Sequence, residues 1–234
     1  MIIAGLQKMT LLDFPGRVAC TVFLQGCNFR CPFCHNSDLL GAASETLTPS
    51  ELLAFLEKRR GLLDGVCLTG GEPTLQPDLP ELVRQIKALG FAVKLDTNGT
   101  RPAMLRQLLK EKLLDYVAMD VKNSPRQYGE TVGLKNPALD SIEESLTLLL
   151  GGDTDYELRT TVVAELHSKT SFKEMGEWLH HLSPHKPRRF FLQCYVDRDS
   201  VLCGGLNAPQ KEDLEAYRDI LAPYVSEISL RGVD

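Results

Sequence analysis

Seven short runs of β-branched and apolar residues alternate along this chain with longer segments of helical period. The runs are VACTVFL (18–24), VCLTG (66–70), FAVKLDT (91–97), YVAMDVK (116–122), YELRTTVV (156–163), RFFLQCYV (189–196) and EISLRG (227–232). They are nearly all apolar on both faces, which suits parallel strands covered by helices. The segments between them carry helix signals. Thr48-Pro49-Ser50-Glu51 is a capping box with proline at the first helical position. Asp78, followed by Pro80 and Glu81, opens a second helix that buries Leu82, Ile86 and Leu89. Segments 102–113, 138–150, 171–182 and 208–222 complete the set, with Gly90 and Gly151-Gly152 as stops. Six or seven βα units in 234 residues predict an α/β fold in one domain, 1–234. Two architectures satisfy the handedness rule: an open doubly wound sheet, or a barrel of fewer than eight units.

Composition removes some classes of function. A formal net charge of −5 disfavours a nucleic-acid partner, and the pairs Arg59–Arg60 and Arg188–Arg189 read as solvated faces. No run approaches the roughly 20 apolar residues that span a bilayer. The stretch MIIAGLQKMTLLDFPG lacks a sustained apolar core and a cleavage site, so a cytoplasmic protein with no membrane partner is expected. In that compartment seven unevenly spaced cysteines point to metal or redox chemistry, not to a disulfide frame.

The unusual residues gather just after the strands, at the edge where parallel α/β folds bind ligands. GCNFRCPFCHN (26–36) follows the first run, TGGEP (69–73) the second and DTNG (96–99) the third; MDVK (119–122) ends the fourth, and Arg159 lies in the fifth. Cys27, Cys31 and Cys34 are spaced C-x3-C-x2-C. On a helix they would share a face as small buried residues, but Pro32 would break that turn, and Gly26 and Asn28 favour a loop. A zinc ion could draw on the three cysteines and His35, although adjacent Cys34 and His35 would strain to reach one tetrahedral ion. The third reading is a four-iron cluster on three thiolates, with one iron left open to an exchangeable ligand. Cys20 and Cys67 read as core thiols, Cys194 is strand-borne and Cys203 is in a loop.

C-x3-C-x2-C is the signature of the radical S-adenosylmethionine (SAM) enzymes. CPFCHN resembles the branch that activates glycyl radical enzymes. LLDFPGRVACTVFLQGCNFRCPFCHN is similar to the activating proteins of anaerobic ribonucleoside-triphosphate reductase and of pyruvate formate-lyase. The likeness continues through TGGEP, DTNG and MDVK, close over roughly the first 120 residues and loose beyond. It implies a partial (β/α)6 TIM-type barrel. It also implies one [4Fe-4S] cluster on Cys27, Cys31 and Cys34, with SAM on the open iron and no catalytic side chain beyond these cofactors. Phe33 would pack near the adenine; the alternative is a plain loop hydrophobe. Gly70, Gly71 and Glu72 would bind the SAM ammonium through carbonyls and an acid. Asp96 and Asn98 would contact the ribose or, in activases, a monovalent cation; an Asx-turn is the alternative. Asp120 and Lys122 match the D-x-K of the activase branch, and alternation puts them on one side of their strand. Lys122 could pair with the SAM carboxylate. Arg159, a charge in an apolar strand, needs an anion: the SAM carboxylate or a neighbouring acid. His167 matches a SAM-contacting histidine. His180 and His181 read as helix surface, His185 as loop, and Gln193 as a barrel-lining or core amide.

The chemistry implied is one-electron reduction of the SAM sulfonium, giving methionine and a 5′-deoxyadenosyl radical that abstracts hydrogen from a glycine of a partner protein. A loop around glycine can enter a narrow site. The partners implied are a glycyl radical enzyme and a flavodoxin- or ferredoxin-type electron donor. No second C-x2-C set of cluster ligands is seen in the sequence. Two other classes compete: a compact radical SAM enzyme acting on a small molecule or RNA, such as the deazaguanine-forming enzyme, and a non-catalytic iron–sulfur or zinc protein.

Overall fold

A computed structural model describes residues 1–41, 46–198 and 200–233. Asp199 lies outside the described residues. Eight strands are found among the described residues: β1 (Ile3–Thr10), β2 (Ala19–Leu24), β3 (Gly65–Gly70), β4 (Ala92–Thr97), β5 (Tyr116–Asp120), β6 (Asp155–Val162), β7 (Arg189–Cys194) and β8 (Glu227–Arg231). The α-helices are α1 (Pro49–Glu57), α2 (Leu79–Ala88), α3 (Pro102–Lys110), α4 (Tyr128–Val132), α5 (Leu139–Leu150), α6 (Lys169–Leu182) and α7 (Lys211–Leu221). Strand neighbours follow chain order from β1 to β8. A doubly wound sheet reverses its order at a switch point; this one does not, which selects the barrel-type alternative. Strands β2 to β7 each lead into a helix, giving the six βα units of a partial barrel.

Packing groups the chain into two compact units. The first comprises Met1–Asn28, Asp38–Thr97 and Arg101–Ala118; the second comprises Phe29–Ser37, Asn98–Thr100 and Met119–Asp234. In the first, β2, β3 and β4 pair in parallel, with Cys20 beside Val66 and Val66 beside Val93. β2 is almost wholly buried, as its two apolar faces require. Its core includes Phe14, Ala19, Ala92 and Tyr116, with the Phe14 and Tyr116 rings 6.3 Å apart. β1 escaped the sequence reading. It is an antiparallel partner of β2 whose middle is exposed, so LQKMT lacks the apolar pattern of a covered strand. The capping box of α1 forms as read, with Thr48 Oγ1 accepting from the Glu51 amide and Glu51 from the Thr48 amide. Asp78 precedes α2 but makes no side-chain cap.

In the second unit β6, β7 and β8 pair in parallel. Aromatic packing dominates: Tyr128 lies edge-on to Trp178 at 6.2 Å and to Phe29 at 6.4 Å, and Phe172 stacks on Tyr217 at 4.5 Å. α6 begins two residues earlier than its pattern suggested, because Ser168 and Ser171 form a reciprocal cap. Gly176 sits inside α6, where alanine is ordinarily the better helix former by about 1 kcal/mol. A Cβ there would collide with the Tyr224 ring. Gly176→Ala is therefore expected to lower the thermal midpoint by several degrees, against propensity, through overpacking of about 1–3 kcal/mol. Differential scanning calorimetry checks the sign.

Candidate functional site

In the first unit the loop after β3 is fixed by close backbone approach. Gly70 has φ +120°, and a Cβ on it would overlap the backbone of Leu24. A Cβ on Gly71 would overlap the carbonyl of Gly26, the residue before Cys27. The Glu72 amide donates to that carbonyl at 2.8 Å, and the Gly71 amide donates to Leu24 O at 2.9 Å. The glycines of TGGEP are thus required by chain packing, beside any ligand they hold. Glu72 is 1% exposed, and its Oε1 accepts from the Thr74 amide at 3.0 Å, the Thr74 hydroxyl, and Thr97 Oγ1 at 2.8 Å. It caps the turn Pro73–Leu75 and ties it to the end of β4.

Asp96, near the end of β4, forms an ion pair with buried Lys94 two residues earlier on the same face. Cys67 Sγ lies 3.8 Å from both Lys94 Nζ and Asp96 Oδ1. Cys67 is a core thiol, as expected, and fully buried; its neighbour Lys94 has no place in the sequence-based expectations. Cys20 is likewise a core thiol, its pKa pushed up to about 12 by burial. Lys94 carried a signal that could have found it: a lysine in the middle of an apolar strand.

In the second unit Asp120 joins two cations. Its Oδ1 accepts from Arg159 Nε at 3.0 Å and its Oδ2 from Lys122 Nζ at 2.9 Å. Burial alone would raise the Asp120 pKa, but the Arg159 and Lys122 charges hold it far below the carboxylate range. Burial likewise opposes the Lys122 ammonium, and the charges of Asp120 and Cys31 outweigh it, keeping the pKa above the ordinary lysine value. Lys122 Nζ also lies 5.9 Å from the centre of the buried Phe33 ring. Of the two partners the sequence allowed for Arg159, the neighbouring acid is Asp120. Asn98 adopts the Asx-turn, its Oδ1 accepting from the Thr100 amide at 3.0 Å and hydroxyl at 2.7 Å.

His167 is 4% exposed, and both ring nitrogens meet backbone: Nδ1 accepts from the Val163 amide at 3.1 Å, and Nε2 donates to Lys122 O at 2.9 Å. Burial pushes its pKa down. In this arrangement it anchors the chain that leaves β5. Tyr128, which sequence reasoning missed, lies 3.3 Å from the Lys122 amide through its hydroxyl. His180, His181 and His185 are exposed, as read. Gln193 is half-buried in β7.

The cysteine loop runs through both groupings: Cys27 belongs to the first, Cys31 and Cys34 to the second. None of the three is in a disulfide, and the Cys34 amide donates to Cys31 O at 3.1 Å in a tight turn. His35 does not join them. Its Nε2 donates to Val196 O at 2.7 Å and its ring stacks on Tyr195 at 5.7 Å. Ser37 Oγ donates to Ser200 O at 2.5 Å, and the Cys203 amide donates to Pro32 O at 2.9 Å. Among the described residues no three His, Cys, Asp or Glu side chains gather closely enough for a single metal ion. A four-iron cluster asks for something else: three thiolates on three different irons, which stand farther apart than ligands of one ion. The donor set fits such a cluster.

The radical SAM superfamily profile matches residues 21–162. The chain belongs to the radical SAM superfamily. Radical SAM enzymes use a [4Fe-4S] cluster and SAM. A protein of Methanocaldococcus jannaschii named a glycyl-radical enzyme activating enzyme is 28% identical over 237 residues, covering all of this chain and 97% of that one. The pyruvate formate-lyase-activating enzyme of Clostridium pasteurianum is 35% identical over 127 residues, 52% of each chain. A GTP 3′,8-cyclase of Thermococcus kodakarensis is 35% identical over 130 residues, 53% of this chain and 42% of that one. Among solved structures, Streptococcus suis SuiB bound to precursor peptide SuiA superposes with a TM-score of 0.70 at 14% identity, over 91% of this chain and 48% of that one. The fold is thus that of a radical SAM domain. Among the described residues no helix is long and apolar enough to cross a membrane.

Two expectations test this radical SAM site. Asp120→Asn leaves Arg159 and Lys122 facing a neutral amide and should cost about 2 kcal/mol in urea unfolding; Arg159→Met added to it should cost less than Arg159→Met alone. Because the His167 pKa is lowered in the folded state, the unfolded chain takes up that proton first. Stability is then full above pH of about 6.5 and declines as pH falls below it. The thermal midpoint of His167→Gln should vary less between pH 7 and pH 5 than that of the unsubstituted protein.

Proposed function

We propose that this radical SAM enzyme is an activase, one that cleaves SAM reductively and generates a glycyl radical on a partner enzyme, with anaerobic ribonucleoside-triphosphate reductase the first choice of partner. The observation that carries the reading is the match to a named glycyl-radical enzyme activating enzyme along all of this chain and 97% of that one. CPFCHN and the D-x-K at Asp120 and Lys122 support the same branch. Residues 1–234 act as one radical SAM domain, fed electrons by a flavodoxin- or ferredoxin-type donor.

Cys27, Cys31 and Cys34 would hold the cluster, which when bound and reduced supplies the electron that breaks the S–C5′ bond of SAM. The chain's own residues bind and aim the substrate. Phe33 offers an apolar face for the adenine, already flanked by a cation. Gly70, Gly71 and Glu72 present carbonyls and an acid to the ammonium. Asp96 and Asn98 face the ribose, with Asn98 acting through the turn that it holds with Thr100. Lys122 and Arg159, both held by Asp120, are cations of the kind that suits the SAM carboxylate. His167 positions Lys122 from behind through its backbone carbonyl.

A second reading, a radical SAM enzyme acting on a nucleotide, is favoured by the 35% identity to GTP 3′,8-cyclase over about half of this chain. One experiment separates them. Protein reconstituted without oxygen should be brown and release methionine from SAM after dithionite. Incubated with anaerobic ribonucleotide reductase, it should produce a glycyl radical doublet by electron paramagnetic resonance. Methionine release with no radical on the reductase or on pyruvate formate-lyase, but with conversion of GTP, would establish the second reading.

A further inference from the structure

The activase resemblance implies a monovalent cation at the DTNG aspartate. Here that carboxylate has another partner. Lys94 is 2% exposed, fully inside the first unit, and its ammonium forms an ion pair with Asp96. The pairing follows from the strand: positions 94 and 96 of β4 point to one face, two residues apart. Cys67, from β3, closes on the pair with its sulfur 3.8 Å from each member. A buried ammonium has few stable states, and a carboxylate with a polarizable sulfur beside it provides one.

We propose that the Lys94 ammonium takes the place of the monovalent cation, so that this protein binds SAM without an alkali metal ion. The proposal rests on reading Asp96 as part of the SAM site. An ammonium and a potassium ion carry the same charge at similar size. The lysine differs in being covalently tethered and in donating hydrogen bonds along three directions. An alkali ion on Asp96 would stand a few ångströms from the lysine charge, where burial leaves little water to screen their repulsion. The second unit follows the same rule by itself. Asp120, at the end of β5, already carries Arg159 and Lys122 and is no bare carboxylate awaiting a metal ion. Residues of this chain therefore supply the positive charge at both aspartates. Lys94 is a positioning residue: it fixes the charge and rotamer of Asp96 and does not touch the reacting bond.

The test is a salt series. Binding of radiolabelled SAM to reconstituted, unreduced protein is measured by equilibrium dialysis with potassium, sodium or tetramethylammonium as sole cation at equal ionic strength. The unsubstituted protein should change its Kd less than twofold across the three. Lys94→Gln should bind at least tenfold more weakly in tetramethylammonium and recover in potassium or sodium, as the small ion enters the space the ammonium left. Lys94→Arg should keep the independence. A tenfold loss for the unsubstituted protein in tetramethylammonium overturns the proposal. So does a Lys94→Gln protein that keeps its cluster absorbance yet shows no response to alkali ions. Should Lys94→Gln fail to fold, the series on the unsubstituted protein decides alone. Absence of SAM binding in every salt would instead defeat the reading of the site, and this proposal with it.

Discussion

One close backbone contact joins two motifs: the Gly26 carbonyl fills the space that a side chain on Gly71 would need, while Gly26 itself is set by its φ of +91°. Gly26 ends the entry to the cysteine loop and Gly71 opens the turn after β3; a Cβ on Gly71 would occupy the Gly26 carbonyl. The Glu72 amide bonds that carbonyl, and Gln76 Nε2 reaches the next one back, Gln25 O, at 2.9 Å. The start of the cysteine loop and the turn that precedes α2 are therefore a single piece of backbone architecture. A glycine in such a place serves proximity first and ligand access second. Substitutions in TGGEP must disturb the position of Cys27 even before they touch any bound molecule.

Charge is arranged with the same economy in each unit. Lys94 and Arg159, cations in otherwise apolar strands, are each received by a carboxylate. Lys94 meets Asp96, while Lys122 and Arg159 meet Asp120. Such pairs contribute modestly to net stability, because desolvation offsets attraction. Their value is definition: each carboxylate is held in one orientation. Glu157 in β6, 2% exposed at its side chain, follows the pattern with a two-pronged bond to Arg231 of β8.

The sequence disclosed the fold through period and punctuation. Apolar β-branched runs announced β2 to β8, although β8 is only partly buried and β7 alternates, and caps such as Thr48–Glu51 and helical period announced the longer helices to within about three residues, while short α4 stayed unread. β1 stayed hidden because an antiparallel edge strand with an exposed middle carries no apolar alternation strong enough to register. Chain-order pairing, the feature that separates barrel from doubly wound sheet, is a property of distant residues and leaves no local trace. At the site, motif residues were legible by type and spacing, but their partners were not. Nothing in ELHSK says that both nitrogens of His167 are engaged by backbone. Nothing around His35 tells of Tyr195, 160 residues away. The clearest missed signal was Lys94, whose charge inside FAVKLDT asked for a partner as plainly as Arg159 did.

Three bonds and a ring stack join residues 32–37 to the stretch 195–203: Pro32 to Cys203, His35 to Val196 and Tyr195, Ser37 to Ser200. These contacts make one cooperative opening unit out of two segments far apart in the chain. The cysteine loop cannot loosen without releasing the later stretch, and strain on the later stretch is felt at the thiols. The cysteine loop is thereby tied to a surface segment that carries exposed Val196 and Leu202. Whatever presses on that segment presses on the cysteine loop.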